Sequence, residues 1–149
     1  MSNKYRISTN KKELDIPFIH SQLINCYWCL SIPLDIVKKS IEHSFCFGVY
    51  SDLEQVGFAR VISDFATYAY IGDVFIAPKY RGKGLSKMLM QAILKHSDLQ
   101  NLRKIALATK DAQTLYRQFG FASPADPNRY MEIRNVNIYR EKFNATKGL

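Results

Sequence analysis

The chain has 149 residues, 21 Lys and Arg against 13 Asp and Glu, and a formal net charge of +8. This length supports one domain over residues 1–149, with a core that needs no disulfide staples. A composition of 47% hydrophobic and 23% charged residues excludes a disordered chain and a long coiled coil.

The charge is uneven: +4 in residues 1–12, +3 in residues 134–149 and only +1 in residues 13–133. A domain-wide face for nucleic acid is therefore not expected, and the two basic ends read as peripheral.

In chain order, residues 4–8 read as an edge strand. Pro17 suits the first turn of a helix, with Phe18, Ile19, Leu23, Cys26 and Tyr27 near one face. Pro33 opens a second helix with Leu34, Val37 and Ile41 on its apolar stripe. Residues 45–50 and 55–62 flank a turn at 51–54, which predicts a hairpin. A longer strand follows over 67–76. Strict alternation puts Tyr68, Tyr70, Val74 and Ile76 on one face and Ile71, Asp73 and Phe75 on the other.

Pro78 ends that strand. Leu85, Met88, Leu89, Ala92 and Ile93 then recur at helical spacing. Residues 105–109 predict a short buried strand. Residues 111–119 predict a helix with Ala112, Leu115, Tyr116 and Phe119 on one face, Asp111 as its cap and Gly120 at its end. Residues 130–133 predict a last strand. This order predicts an α/β (α+β) fold: a mixed, mostly antiparallel central sheet flanked by helices, with one βαβ unit.

The first ten residues are polar and lack an apolar leader core. No run approaches the roughly 18 apolar residues of a membrane span. Three cysteines fit a reducing compartment, so a cytoplasmic protein without membrane association is expected. Cys26 and Cys29 have CxxC spacing, but a second pair is missing and the motif falls at a helix end, so no metal site is expected. Asn144-Ala145-Thr146 is a glycosylation sequon with no role in that compartment.

The informative stretch runs from Val74 to Lys87. A strand enters a glycine-bearing loop that passes directly into a helix. Helix starts present unpaired N–H groups and a partial positive charge. Gly82 and Gly84 let a bound group approach the backbone. Lys79, Arg81, Lys83 and Lys87 add four positive charges within nine residues, with no acid among them. Together these features describe a phosphate site. The spacing is neither that of a P-loop nor that of a dinucleotide fingerprint. A plain surface loop with two turn glycines is the alternative.

The loop resembles the signature of the GNAT acyltransferase superfamily: arginine or glutamine, two residues, glycine, one residue, then glycine or alanine. It stands here as Arg81-Gly82-Lys83-Gly84-Leu85-Ser86, with Ser86 departing from the last position. A second block, Ala112-x-x-Leu115-Tyr116-x-x-Phe119-Gly120-Phe121, is also similar to that superfamily and lies in the expected order and distance.

The resemblance implies acetyl-CoA as cosubstrate and a βαβ unit that binds it. It implies that the backbone of Val74, Phe75 and Ile76 pairs with the pantetheine arm. The N–H groups of Gly82, Lys83, Gly84, Leu85, Ser86 and Lys87, with the Arg81 side chain, would hold the pyrophosphate. Thr109 stands where the family often has asparagine.

It further implies a direct attack by a primary amine on the thioester. The Ile76 N–H would stabilise the carbonyl oxygen, and Tyr116 would act as general acid. Without the resemblance, Tyr116 reads as a core aromatic. Asp73 is the candidate base, although alternation places it opposite Ile76; a bulge could re-aim it. Tyr27 and Trp28 are candidate walls of the acceptor pocket. The partner is then a small-molecule or peptide amine, and nucleic acid is not expected. A non-catalytic acyl-CoA-binding module is the alternative from another class. A homodimer is left open by the sequence.

Overall fold

A computed structural model describes residues 4–140. Its elements are β1 (Tyr5–Ser8), α1 (Ile16–Leu23), α2 (Leu34–Glu42), β2 (Phe45–Ser51), β3 (Glu54–Ser63), β4 (Tyr68–Ile76), α3 (Leu85–Lys95), β5 (Lys104–Leu107) and α4 (Gln113–Arg117). The strands form one sheet in the order β1-β2-β3-β4-β5. The first four are antiparallel in sequence, and β4 pairs with β5 in parallel through the α3 crossover. The expected mixed sheet with one βαβ unit is the fold observed.

Each face of the sheet carries its own apolar layer. Leu85, Leu89, Met90 and Ile93 of α3 pack on Phe47, Val49, Ala59, Val61, Ala69 and Ile71, and Tyr116 of α4 joins them. On the other face, Ile19 and Leu23 of α1 and Val37 and Ile41 of α2 cover Cys46, Phe58 and Phe75. Full burial of such side chains contributes roughly 1.5–3 kcal/mol each, so the helical stripes decide where the helices dock.

Local chemistry sets the helix starts. The Asp15 carboxylate accepts the Phe18 N–H at 3.1 Å, with Pro17 in the first turn of α1. α1 stops at Leu23, so Cys26 and Tyr27 do not share its face as expected. They belong to a separate turn, with Tyr27–Cys29 in a 3₁₀ conformation. Leu34 lies on the exposed side of α2, not on its buried stripe.

Three further expectations are corrected. Strand β5 is shorter than predicted and only half-buried, because it is the outermost strand. Helix α4 is a five-residue helix, and Asp111 does not cap it; the Thr109 hydroxyl accepts the Ala112 N–H instead, at 3.0 Å. Residues 130–133 form no strand, and Met131 and Ile133 are almost fully exposed, at 95% and 106%.

The expected alternation along β4 also breaks. Between Arg60↔Gly72 and Phe58↔Phe75, β4 advances three residues while β3 advances two. Asp73 sits at this bulge with φ +53°. Before it, Ala69 and Ile71 face the α3 layer; after it, Ile76 does, while Phe75 turns to the α1 layer. The extra residue has switched which parity faces which side.

The basic N-terminal end is built into the domain. Arg6 pairs with Glu13 at 3.0 Å and lies 4.5 Å from the Tyr50 ring centre, and the Lys11 ammonium donates to the Glu42 carbonyl. Lys142, Lys147 and the Asn144 sequon lie outside the described residues.

Candidate active site

Strands β4 and β5 are paired only over residues 68–71 of β4. Beyond Gly72 the bulged strand leaves its neighbour, and no described strand faces that edge. The direction of the freed groups follows from their neighbours. Ala77 donates its N–H to Val56 on β3 at 2.8 Å. Backbone groups alternate sides along a strand, so those of Ile76 point to the open edge. Arg81 bears this out, since its Nε donates to the Ile76 carbonyl from that side at 3.0 Å. Val74 shares that direction. Phe75 does not: its backbone faces β3 and its ring packs 5.8 Å from Phe18 and 5.9 Å from Phe58.

The glycine-bearing loop closes one end of this opening. Gly82 has φ +76° and Gly84 φ +78°, the left-handed region that side chains avoid. A Cβ on either would meet nothing within 4 Å, so the space over the backbone is open. Gly84 begins α3 with no side-chain cap, leaving the first N–H groups of that helix free for a ligand. A cleft of about 270 Å³ lies over them, lined by Ile76, Arg81, Gly82, Gly84, Leu85, Ser86, Lys87 and Leu115 among others. Leu85 borders this cleft but is itself buried in the α3 layer. Lys83 is exposed at its rim and does not line it. The open backbone, the uncapped helix start and the free strand edge fit a pyrophosphate carrying a pantetheine-like arm.

Tyr116 is buried under α4, with its ring edge-on to Phe121 at 6.0 Å. Burial pushes its phenol above the ordinary tyrosine value, and the Tyr27 and Asp111 side chains push the same way. Such a phenol holds its proton through the neutral range. The Thr109 hydroxyl accepts from Ala112 and keeps its proton and a second lone pair to offer a ligand.

The 3₁₀ turn between α1 and α2 bridges the opening. The Trp28 indole Nε1 donates to Asp73 Oδ1 at 3.0 Å on β4. The Tyr27 hydroxyl accepts the Lys110 N–H at 3.1 Å, in the loop after β5. The two rings meet edge to face at 5.1 Å and are 55% and 41% exposed, so they wall the opening and still face solvent. Asp73 Oδ2 accepts from Arg60 Nε at 2.8 Å, and Arg60 also donates to the buried Ser44 hydroxyl at 3.1 Å. Bulge and ion pair bring Asp73 to the Trp28 side of the sheet with both oxygens engaged.

Arg60, Tyr70, Lys110 and Tyr139 also belong to this region, although no sequence motif marks them. Tyr70 and Tyr139 are close enough to Asp73 and Arg60 for those charges to act on their phenols. Arg60 carried a signal: one charge inside an otherwise apolar strand needs a buried partner. The others are brought in by tertiary packing alone.

Cys26 and Cys29 are free thiols bonded to the Gln22 and Leu23 carbonyls, and burial pushes Cys29 up to about 12. Such thiols are inert. Among the described residues no group of three His, Cys, Asp or Glu side chains is placed to hold a metal. Among them, too, no helix is long and apolar enough to cross a membrane.

The comparisons agree with this architecture. The model of the acetyltransferase (GNAT) family matches residues 16–121. A protein of Gibberella zeae named as an acetyltransferase is 28% identical over 135 residues, which cover 75% of each chain. A crystal structure of a protein assigned to the GNAT family in Xanthomonas campestris pv. campestris superposes with a TM-score of 0.90 at 47% identity, covering 93% of this chain and 99% of that one. A Clostridium acetobutylicum protein assigned as an acetyltransferase, whose structure includes acetyl-CoA, shares the fold at 17% identity with a TM-score of 0.63, covering 87% of this chain and 94% of that one. The chain belongs to the acetyltransferase (GNAT) family, and by that membership it is an acyltransferase.

Proposed function

We propose that this protein is an acetyl-CoA-dependent N-acetyltransferase acting on a primary amine, either a small molecule or a peptide. The observation that carries the reading is the parting of β4 from β5 at Gly72, with an open helix start at one end and a buried phenol beside it. Bound acetyl-CoA would supply an acetyl group activated as a thioester.

The chain's own groups divide the work. The N–H groups of residues 82–87 hold the pyrophosphate, aided by the α3 dipole, by Lys87 on the cleft wall and by Lys83 at the rim. The open-edge groups of Val74 and Ile76 pair with the pantetheine arm, as an added strand would. Arg81 locks the loop onto Ile76, which keeps the Ile76 N–H aimed at the acyl oxygen, where negative charge develops.

The amine enters past the wall formed by Tyr27 and Trp28, and its nitrogen bonds to the acyl carbon as the carbon–sulfur bond breaks. Tyr116 gives its phenolic proton to the leaving sulfur, and the proton lost by the amine restores it through water.

Asp73 as general base meets a geometric obstacle. Both oxygens already accept from fixed donors, and neutralising it would strip Arg60 of its counter-charge. Its better-supported role is to position Trp28 and the pocket mouth. The free thiols support a reducing compartment, the cytoplasm.

A panel of primary amines with acetyl-CoA, followed by free thiol release, tests the reading. Amine-dependent release is expected for at least one acceptor class. Tight acetyl-CoA binding with no release from any amine would favour a non-catalytic acyl-CoA module.

A further inference from the structure

Arg60 has more donors than the fold uses. Its Nε donates to Asp73 Oδ2 at 2.8 Å, and its Nη1 donates to the buried Ser44 hydroxyl at 3.1 Å. A guanidinium carries five N–H groups. Among the described residues Nη2 has no hydrogen-bond partner, and the one buried side-chain nitrogen or oxygen left unpartnered is the Tyr50 hydroxyl. Nη2 is therefore not sealed in the core. It reaches open space from a side chain that is only 19% exposed and held at two other nitrogens.

That open space adjoins the acceptor entrance. Ala59 and Val61 face the α3 layer, so Arg60 between them faces the α1 side of the sheet. Helix cover on that side ends at Phe58 and Phe75, and Ile62 and Tyr68 beyond them are 47% and 38% exposed. Arg60 pairs in register with Gly72, and the Tyr70 ring lies over that glycine, where a Cβ would meet it at 3.3 Å. Asp73 takes Arg60 on Oδ2 and Trp28 on Oδ1, so the guanidinium stands one carboxylate away from the Trp28 wall.

Charge narrows what Nη2 can bind. Arg60 and Asp73 cancel each other. Lys110, held to Tyr27 across the opening, is followed by Asp111 of opposite sign. A second ammonium on the acceptor would face Arg60. A carboxylate would face Asp73, whose oxygens stay with their two donors. An uncharged carbonyl meets neither obstacle, and it accepts where a guanidinium only donates.

We propose that Arg60 is the second point of acceptor recognition: the acceptor amine stands beside an amide carbonyl, as in a peptide N-terminus or an amino-acid amide, and Nη2 donates to that carbonyl. The inference rests on the N-acetyltransferase reading and narrows its substrate.

Four amines with one side chain test it: phenylalaninamide, phenylalaninol, phenylalanine and phenethylamine, with rates expressed per uncharged amine. We expect kcat/KM about tenfold or more higher for the amide than for the other three. Arg60→Lys keeps a cation beside Asp73 and removes the forked donor. It should bring the preference within about threefold, mainly through KM, with acetyl-CoA affinity as the check on folding. Phenylalanyl-glycinamide against phenylalaninamide separates a peptide from a small amide, and either order agrees with the proposal. Emission of Trp28, the only tryptophan, gives a readout that needs no transfer. The amine-free 3-phenylpropanamide should shift it, 3-phenylpropanoate should not, and Arg60→Lys should weaken the amide's binding about tenfold. An amide preference that is absent, or that survives Arg60→Lys, would overturn the proposal and leave the acetyltransferase reading in place. Arg60-dependent binding of the amide without transfer to any amine would uphold this recognition and remove that reading.

Discussion

Asp73 holds a backbone conformation that costs most side chains energy, with φ +53°, and Asn and Asp tolerate it best. Asp73→Asn therefore isolates the charge. If Asp73 positions Trp28, the variant lowers kcat/KM through KM and keeps the shape of the pH profile. If it is the base, the acidic limb of that profile disappears. Trp28 is the only tryptophan in the chain, so its emission reports directly on the loss of the Asp73 contact. Asp73→Ala should also cost about 3 kcal/mol or more of stability, because Arg60 is left as an uncompensated, mostly buried charge. Tyr116 adds a pH statement. Its raised phenol stays protonated past the ordinary value near 10, so kcat should show no alkaline decline below that pH.

At the scale of elements, the start of α3 and the bulge in β4 build the site. Gly84→Ala forces a Cβ into the left-handed region, at roughly 1–2 kcal/mol, and crowds the phosphate position. A lowered melting temperature with weakened acetyl-CoA binding in calorimetry is the expected result. Unchanged affinity would remove the loop from the binding account. These elements also show what the sequence made legible. The period of α3, the strand–loop–helix passage into it and the hairpin are local patterns, and the structure follows them. The bulge is not local. It arises where β3 and β4 settle their register, and it moves Asp73, Val74 and Phe75 relative to a strict alternation. The last predicted strand failed for a related reason. Its pattern is β-like, but the structure gives it no strand partner within one chain.

At the scale of the molecule, the net charge of +8 describes no single surface. Arg6 and Lys11 of the basic N-terminal end serve as anchors, and the cluster at residues 79–87 stands beside the open backbone. Alkaline stability is a property of the whole core. Burial pushes Cys29 to about 12, Cys46 to about 11 and Tyr50 to about 12, from ordinary values of 9.0, 9.0 and 10.0. The folded state thus holds these protons more tightly than the unfolded one. Stability is full below about pH 9 and falls as pH rises toward 12. Denaturant midpoints measured at pH 8 and pH 10.5 should show the fall, and Cys46→Ala should flatten it.

The central claim is a phenol that gives a proton to a leaving thiolate above a separately held cosubstrate. Turnover and acetyl-CoA affinity of Tyr116→Phe, measured side by side against the wild type, test it most directly. The expected result is a kcat reduced about 100-fold or more, with the dissociation constant for acetyl-CoA within about threefold of the wild type. Wild-type turnover in that variant would contradict it.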